Sequence, residues 1–187
     1  LLIGMVGMLL LFAGGSRLEH LIVTGTAGIC AFAVAVMHAP NRLVRILAFL
    51  HPEKHLEVSY HLRQSLHAFT LGGWWGVGLG KSLQKHDYLP EAHTDFILAI
   101  IAEELGITGT LTVAILFAAI LICGLLICLN AKDVFGRLLA FGITVMITLQ
   151  AAINIGVVTG CLPTKGLPLP FISAGGSSLV ISLFCVG

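Results

Sequence analysis

The chain has 187 residues, of which 57% are hydrophobic and only 10% charged, with a formal net charge of +1 and a mean hydropathy of +1.02. A soluble domain carries roughly 25% charged residues, so this composition excludes one and points to an integral membrane protein. The near-neutral balance, with no basic stripe and no aromatic-interleaved patch, leaves no footprint for nucleic acid.

Five charge-poor runs can carry spans: 1–13, 21–38, about 105–129, about 138–159 and about 167–187. The interior runs approach or exceed the ~20 residues that take a helix across ~30 Å of hydrocarbon, and a helix satisfies its own backbone there. The fold class is therefore all-α, a polytopic helical bundle of about five spans. Residues 1–38 are read as two transmembrane helices, the first truncated, 39–95 as a long loop, and 96–187 as three further helices with a short loop at 160–167. The first run starts at Leu1 without an initiator Met, and the last stops at Gly187 without a flanking charge, so a longer parent chain is expected. No signal-peptide pattern is present. The five cysteines, Cys30, Cys123, Cys128, Cys161 and Cys185, lie in or beside spans and read as small apolar packing residues rather than a disulfide framework.

The short polar links at 14–20 and 130–137 join pairs of runs. If every run crosses once, residues 39–95 and the 160–167 loop share one side of the membrane, which lets Asp95 meet Lys165. Three cations lie in the short links (Arg17, Lys132, Arg137) and seven on the other side (Arg42, Arg45, Lys54, Arg63, Lys81, Lys85, Lys165). Taken literally, the positive-inside rule puts the long loop in the cytoplasm. Cations recruited for binding would spoil that count, and the loop also carries five acids (Glu53, Glu57, Asp87, Glu91, Asp95).

Along the long loop, Arg42 and Arg45 stand three apart after a span, as a snorkelling pair or as two guanidiniums that hold a diphosphate. The stretch VSYHLRQSLHAF (58–69) places Val58, Leu62, Leu66 and Phe69 at helical spacing, which predicts an amphipathic helix at the interface. Trp74 and Trp75 fit an interfacial belt. The run WWGVGLGKS (74–82) is no phosphate loop, because Trp75 stands where GxxxxGK[ST] needs glycine. Its glycines instead let backbone approach a membrane or a ligand, beside Lys81 and Lys85.

YLPEAHTDFILAIIAEELG (88–106) is the chemically densest stretch. Pro90 suits a first helical turn, after which Glu91, Asp95, Ala99 and Glu103 recur every fourth residue on one face until Gly106 interrupts. An acid at membrane depth is expensive and marks function, and a carboxylate against a low-dielectric boundary is suited to general-base work. Glu91, His93 and Asp95 are all metal-ligand types, but a spacing of two suits a strand rather than a helical face, and a divalent ion held loosely beside a diphosphate is the better reading. Further on, LPTKGLPLPFISAGGSSL (162–179) sets three prolines and three serines around Lys165 at a span entrance. Broken backbone at that depth lines a cavity or is buried in protein.

Two blocks, GWWGVGLGKSLQKHDYLPEAHTDFILAIIAEELG and LPTKGLPLPFISAGGSS, resemble the SEDS family (shape, elongation, division and sporulation), multi-span peptidoglycan glycosyltransferases that polymerise lipid II. LPEAHTDFI and Thr164-Lys165-Gly166 look more like its cell-division, FtsW-like branch than the rod-shape elongation branch. The likeness covers the whole chain but only about the second half of a ten-span member. One departure is Ala174, where the family usually has an aromatic residue.

The resemblance implies that the long loop and the Lys165 loop face the periplasm from a multi-pass position in the bacterial inner membrane. It implies inverting transfer, with Asp95 as general base and Lys165, Arg42, Arg45, Lys81 and Lys85 stabilising the leaving diphosphate. Glu91, His93, Glu103, Ser173 and Ser177 would surround and tune these groups. No cofactor is expected to be tightly bound; Mg or Mn would sit only at the diphosphate. Implied partners are lipid II, a class B penicillin-binding transpeptidase, other divisome proteins and membrane lipid. A lipid II flippase and a noncatalytic divisome scaffold are the alternatives.

Overall fold

A computed structural model describes residues 2–38, 44–45, 47–49, 56–80, 95–163 and 166–187. Helices run over Leu2–Ala13 (α1), Leu18–Met37 (α2), Leu56–Gly72 (α3), Ile97–Asn130 (α4), Val134–Val158 (α5) and Gly176–Val186 (α6), and no strand occurs among the described residues. Three of these, α2, α4 and α5, are long and apolar enough to cross a membrane. The surface agrees with that: Phe184 is 87% exposed and Leu129 77%, while Glu103, Asn154, Ser65, Thr144 and Ser173 are buried. Apolar side chains outside and polar ones inside is the arrangement a lipid solvent favours, since polar groups there must find partners within the protein.

The chain divides into two compact units, Leu1–Leu43 with Ala118–Leu149, and Val44–Phe117 with Gln150–Gly187. In the first, small residues let helices approach closely, as is usual where lipid supplies no hydrophobic drive between helices. A Cβ on Gly124 would strike the Thr144 side chain, and one on Gly25 would strike the Met8 methyl. Asp133 caps α5, its Oδ2 accepting from the Gly136 amide at 2.7 Å. The cavity of about 540 Å³ between α1 and α2 is lined by residues such as Gly4, Met8, Gly25, Gly28, Ile29 and Phe32, with no ionisable side chain, so it offers no chemistry.

The second unit holds most of the polar interior. Residues Ser65, Ala68 and Gly72 form the buried face of α3, with Ser65 and Ala68 both fully buried. The Ser65 hydroxyl donates to the Val158 carbonyl at the end of α5 (2.7 Å). A helix thus runs through the expected 58–69 stretch, with Leu66 41% exposed; its inward face is small because backbone of α4 comes close at Gly72.

α5 ends on a Schellman turn, with Gly160 at φ 77° and the Cys161 and Gly160 amides donating to the Gly156 and Val157 carbonyls (2.7 and 3.1 Å).

α4 is broken at Gly106, which lies at φ 70°, ψ −163°. Its 34 residues would span about 51 Å as one rod, whereas the part beyond the break, about 36 Å, is enough for the hydrocarbon. The break frees backbone groups on both sides, and the glycine-rich loop after α3 takes them up. The Val77 and Gly78 amides donate to the Glu103 and Glu104 carbonyls (2.9 and 3.1 Å), while the Ile107 and Thr108 amides donate to Gly73 and Trp74 (2.9 and 3.4 Å). A Cβ on Gly72, Gly76 or Gly106 would collide with this partner backbone. The glycines of LGGWWGVGLG therefore serve a backbone-to-backbone clamp, where the sequence pointed to a membrane or ligand.

Candidate active site

The second unit brings together the two sequence blocks that carry the polar motifs. Asp95 lies in a turn with Phe96, immediately ahead of α4, and the Ala99 amide donates back to the Phe96 carbonyl (2.9 Å). This corrects the expected continuous face from Glu91 through Asp95 to Glu103: the helix begins at Ile97, so Asp95 precedes it and sits near the positive end of its dipole. The residue is half-buried.

Against that carboxylate stands the loop after α5. A Cβ built on Gly166 would lie 2.5 Å from Asp95 Oδ2, so the Gly166 backbone touches the acid directly, and Gly166 itself is exposed. Only a residue without a side chain allows that approach. Two amide side chains on α5 hold the loop. Asn154 Nδ2 donates to the Leu167 carbonyl at 2.6 Å and to the Asp95 carbonyl at 2.9 Å. One turn earlier, Gln150 Nε2 donates to the Pro168 carbonyl at 2.8 Å. Ser173 then closes the following turn: its Oγ accepts from the Leu169 amide (2.7 Å), and its own amide donates to the Leu169 carbonyl (3.0 Å). Phe171 within this turn has φ 64°, a conformation rare for a bulky residue, over which these hydrogen bonds close.

The remaining expected residues divide clearly. Glu103 is 1% exposed, so this acid lies inside the protein. Its neighbour Glu104 has a buried Oε1 without a hydrogen-bond partner among the described residues. Ser173 is 6% exposed and has the structural task just described; Ser177 falls in the first turn of α6. Arg45 is helical and exposed. Lys165, Arg42, Lys81, Lys85, Glu91 and His93 lie outside the described residues.

No group of three His, Cys, Asp or Glu side chains that could hold a metal is found among the described residues, so nothing here assigns a metal to Asp95. All five cysteines are free, and Cys128 is the buried one.

Gln150 and Asn154 were not among the residues singled out from the sequence. Their signal is nonetheless present in QAAIN: two amides four residues apart inside an apolar run, where polar groups are expensive unless used.

These features define a helical membrane protein with a half-buried acid at the mouth of a broken-backbone loop. The family model FTSW_RODA_SPOVE, described as "Cell cycle protein", matches residues 1–187, and the chain belongs to that family.

Among its relatives, "Probable peptidoglycan glycosyltransferase FtsW" of Geobacter sulfurreducens (strain DL-1 / KN400) is 46% identical over 188 residues, covering 100% of this chain and 50% of the relative. "Stage V sporulation protein E" of Bacillus subtilis (strain 168) is 46% identical over 186 residues, covering 98% and 51%. The chain thus spans about half the length of these curated relatives. A solved structure described as "Structural coordination of polymerization and crosslinking by a peptidoglycan synthase complex" matches with a TM-score of 0.65 and 26% identity, over 90% of this chain and 46% of that one.

Proposed function

We propose that the protein is a peptidoglycan glycosyltransferase that polymerises lipid II for the septal wall, with Asp95 as its general base. The observation that carries this reading is the contact of the Asp95 carboxylate with Gly166, the residue that follows Thr164-Lys165. An acid and a loop bearing a cation are what the reaction needs at one place. The acceptor sugar hydroxyl attacks the anomeric carbon of the donor strand, Asp95 takes the hydroxyl proton, and the bond to the lipid diphosphate breaks with inversion. Negative charge then grows on the diphosphate, where Lys165, Arg42, Arg45, Lys81 and Lys85 are the cations proposed to receive it. Glu91, His93 and Glu103 are proposed to tune the base. A divalent cation, Mg or Mn, is proposed only beside the lipid diphosphate, and no step is routed through it.

Relatives bearing the glycosyltransferase name support this activity. The likeness to part of a synthase complex for polymerization and crosslinking supports a partner that crosslinks, proposed as a class B penicillin-binding transpeptidase within the divisome. The inner membrane, with the site facing the periplasm, is the proposed location.

The test is Asp95→Asn in the full-length gene product, reconstituted with lipid II. A general base contributes about 100- to 10,000-fold, so polymer formation should fall by that factor while lipid II binding stays near the unsubstituted level. Undiminished polymerisation would refute the catalytic role. Lipid movement across the bilayer without polymer, in both proteins, would favour a flippase.

A further inference from the structure

We propose that Asn154 is a positioning residue, whose one side-chain amide fixes where the Asp95 carboxylate stands relative to the 166–168 loop. The inference rests on the glycosyltransferase reading of Asp95 and adds a residue that neither the motifs nor the names of relatives assign.

Asn154 is 2% exposed. Its side chain hydrogen-bonds both segments, donating to the Asp95 and Leu167 carbonyls at 2.9 and 2.6 Å. These partners lie 59 residues before it and 13 after it in sequence. Both contacts are with carbonyl oxygens, so the NH₂ must face them; the opposite amide orientation would set oxygen against two oxygens. Both N–H groups are thereby used. The carbonyl end is left as a buried acceptor without a hydrogen-bond partner among the described residues.

The amide satisfies two backbone carbonyls while leaving its own carbonyl end unpaired among the described residues, an imperfect match for a purely structural plug. What the amide supplies is register. Asp95 Oδ2 lies against Gly166, with no room even for a methyl group between them, and Leu167 is the next residue along. Gln150 holds only the loop, through Pro168; Asn154 holds the loop and the acid together. Loss of the amide lets the two drift apart, and a 1 Å misplacement of reacting groups can cost about 100-fold in rate.

Full-length protein in nanodiscs, assayed with lipid II, provides the test. Asn154→Ala is expected to lower kcat by about 10- to 100-fold while KM stays within about threefold, because substrate contacts remain but the acid is misplaced. Gln150→Ala should cost less than Asn154→Ala, since Asp95 keeps its anchor. Asn154→Ser, which retains a donor for one of the two carbonyls, should fall between wild type and Asn154→Ala in kcat per folded molecule. It also serves where the alanine variant does not accumulate.

A wild-type kcat per folded molecule in either Asn154 variant overturns the proposal, as does a rise in KM that accounts for the whole loss. Asp95→Asn in the same assay separates the two levels. If it is inactive while Asn154→Ala is fully active, positioning fails alone; if Asp95→Asn is itself fully active, the reading of the base fails.

Discussion

Substituting Gly106 by alanine probes the clamp that holds the acid-bearing end of α4. At φ 70°, ψ −163° the residue occupies a region that is essentially glycine-only, which costs an L-residue about 1–3 kcal/mol. The new methyl would also stand 2.5 Å from the Trp74 carbonyl oxygen and 2.6 Å from the Gly76 nitrogen. Backbone on both sides leaves little to yield, so the loop must retreat from the four hydrogen bonds that bridge it to α4. Losing two of them adds about 1–3 kcal/mol at a net 0.5–1.5 each, for a total near 4 kcal/mol. For a chain of this length that corresponds to a fall in Tm of about 8–16 °C. The assay is thermal unfolding in detergent or nanodiscs, with hydrogen exchange followed in peptides covering 72–80 and 103–108. Faster exchange at both peptides is expected with the fall in Tm. A Gly106→Ala protein that melts within about 2 °C of wild type, with unchanged exchange, would refute the clamp.

Three further outcomes follow from the same geometry. Gly166→Ala sets a methyl against the far end of the Asp95 side chain, Oδ2, and displaces the acid from the loop: polymerisation should fall at least about tenfold, with a smaller loss of Tm than Gly106→Ala shows. Ser65→Ala removes a buried donor to the Val158 carbonyl and should destabilise by about 1 kcal/mol, read as a Tm lower by a few degrees with lipid II binding unchanged. Gly124→Ala drives a methyl into Thr144 where α4 and α5 touch in the first unit, and overpacking of about 1–3 kcal/mol should appear as a loss of Tm with kcat per folded molecule retained.

Much of the architecture was legible because hydrocarbon imposes a simple rule. Apolar runs long enough to cross give helices, and α2, α4 and α5 are such runs. The sharing of one side by Asp95 and the Lys165 loop followed from counting crossings, and Gly166 does lie against Asp95. Periodicity said less where packing against a second backbone chose the residues. On α3 the leucine spacing pointed to the helix, but the inward face of Ser65, Ala68 and Gly72 carries no apolar signal. At Asp95, fourfold spacing to Ala99 and Glu103 implied one helix, whereas the helix starts at Ile97. The glycines of 72–78 read as facing a membrane or a ligand because a sequence does not display the orphaned carbonyls of a distant helix break. Asn154 escaped for a similar reason: its partners are backbone carbonyls, which leave no trace in residue identity.

The central claim, that the Asp95 carboxylate performs the transfer, is tested most directly by one bond-forming event. Wild-type and Asp95→Asn proteins, each saturated with lipid II, would be compared for the first lipid-linked tetrasaccharide formed in a single turnover. The account predicts that the asparagine protein binds lipid II and yields this product at least about 100-fold more slowly; formation at the wild-type rate would contradict it.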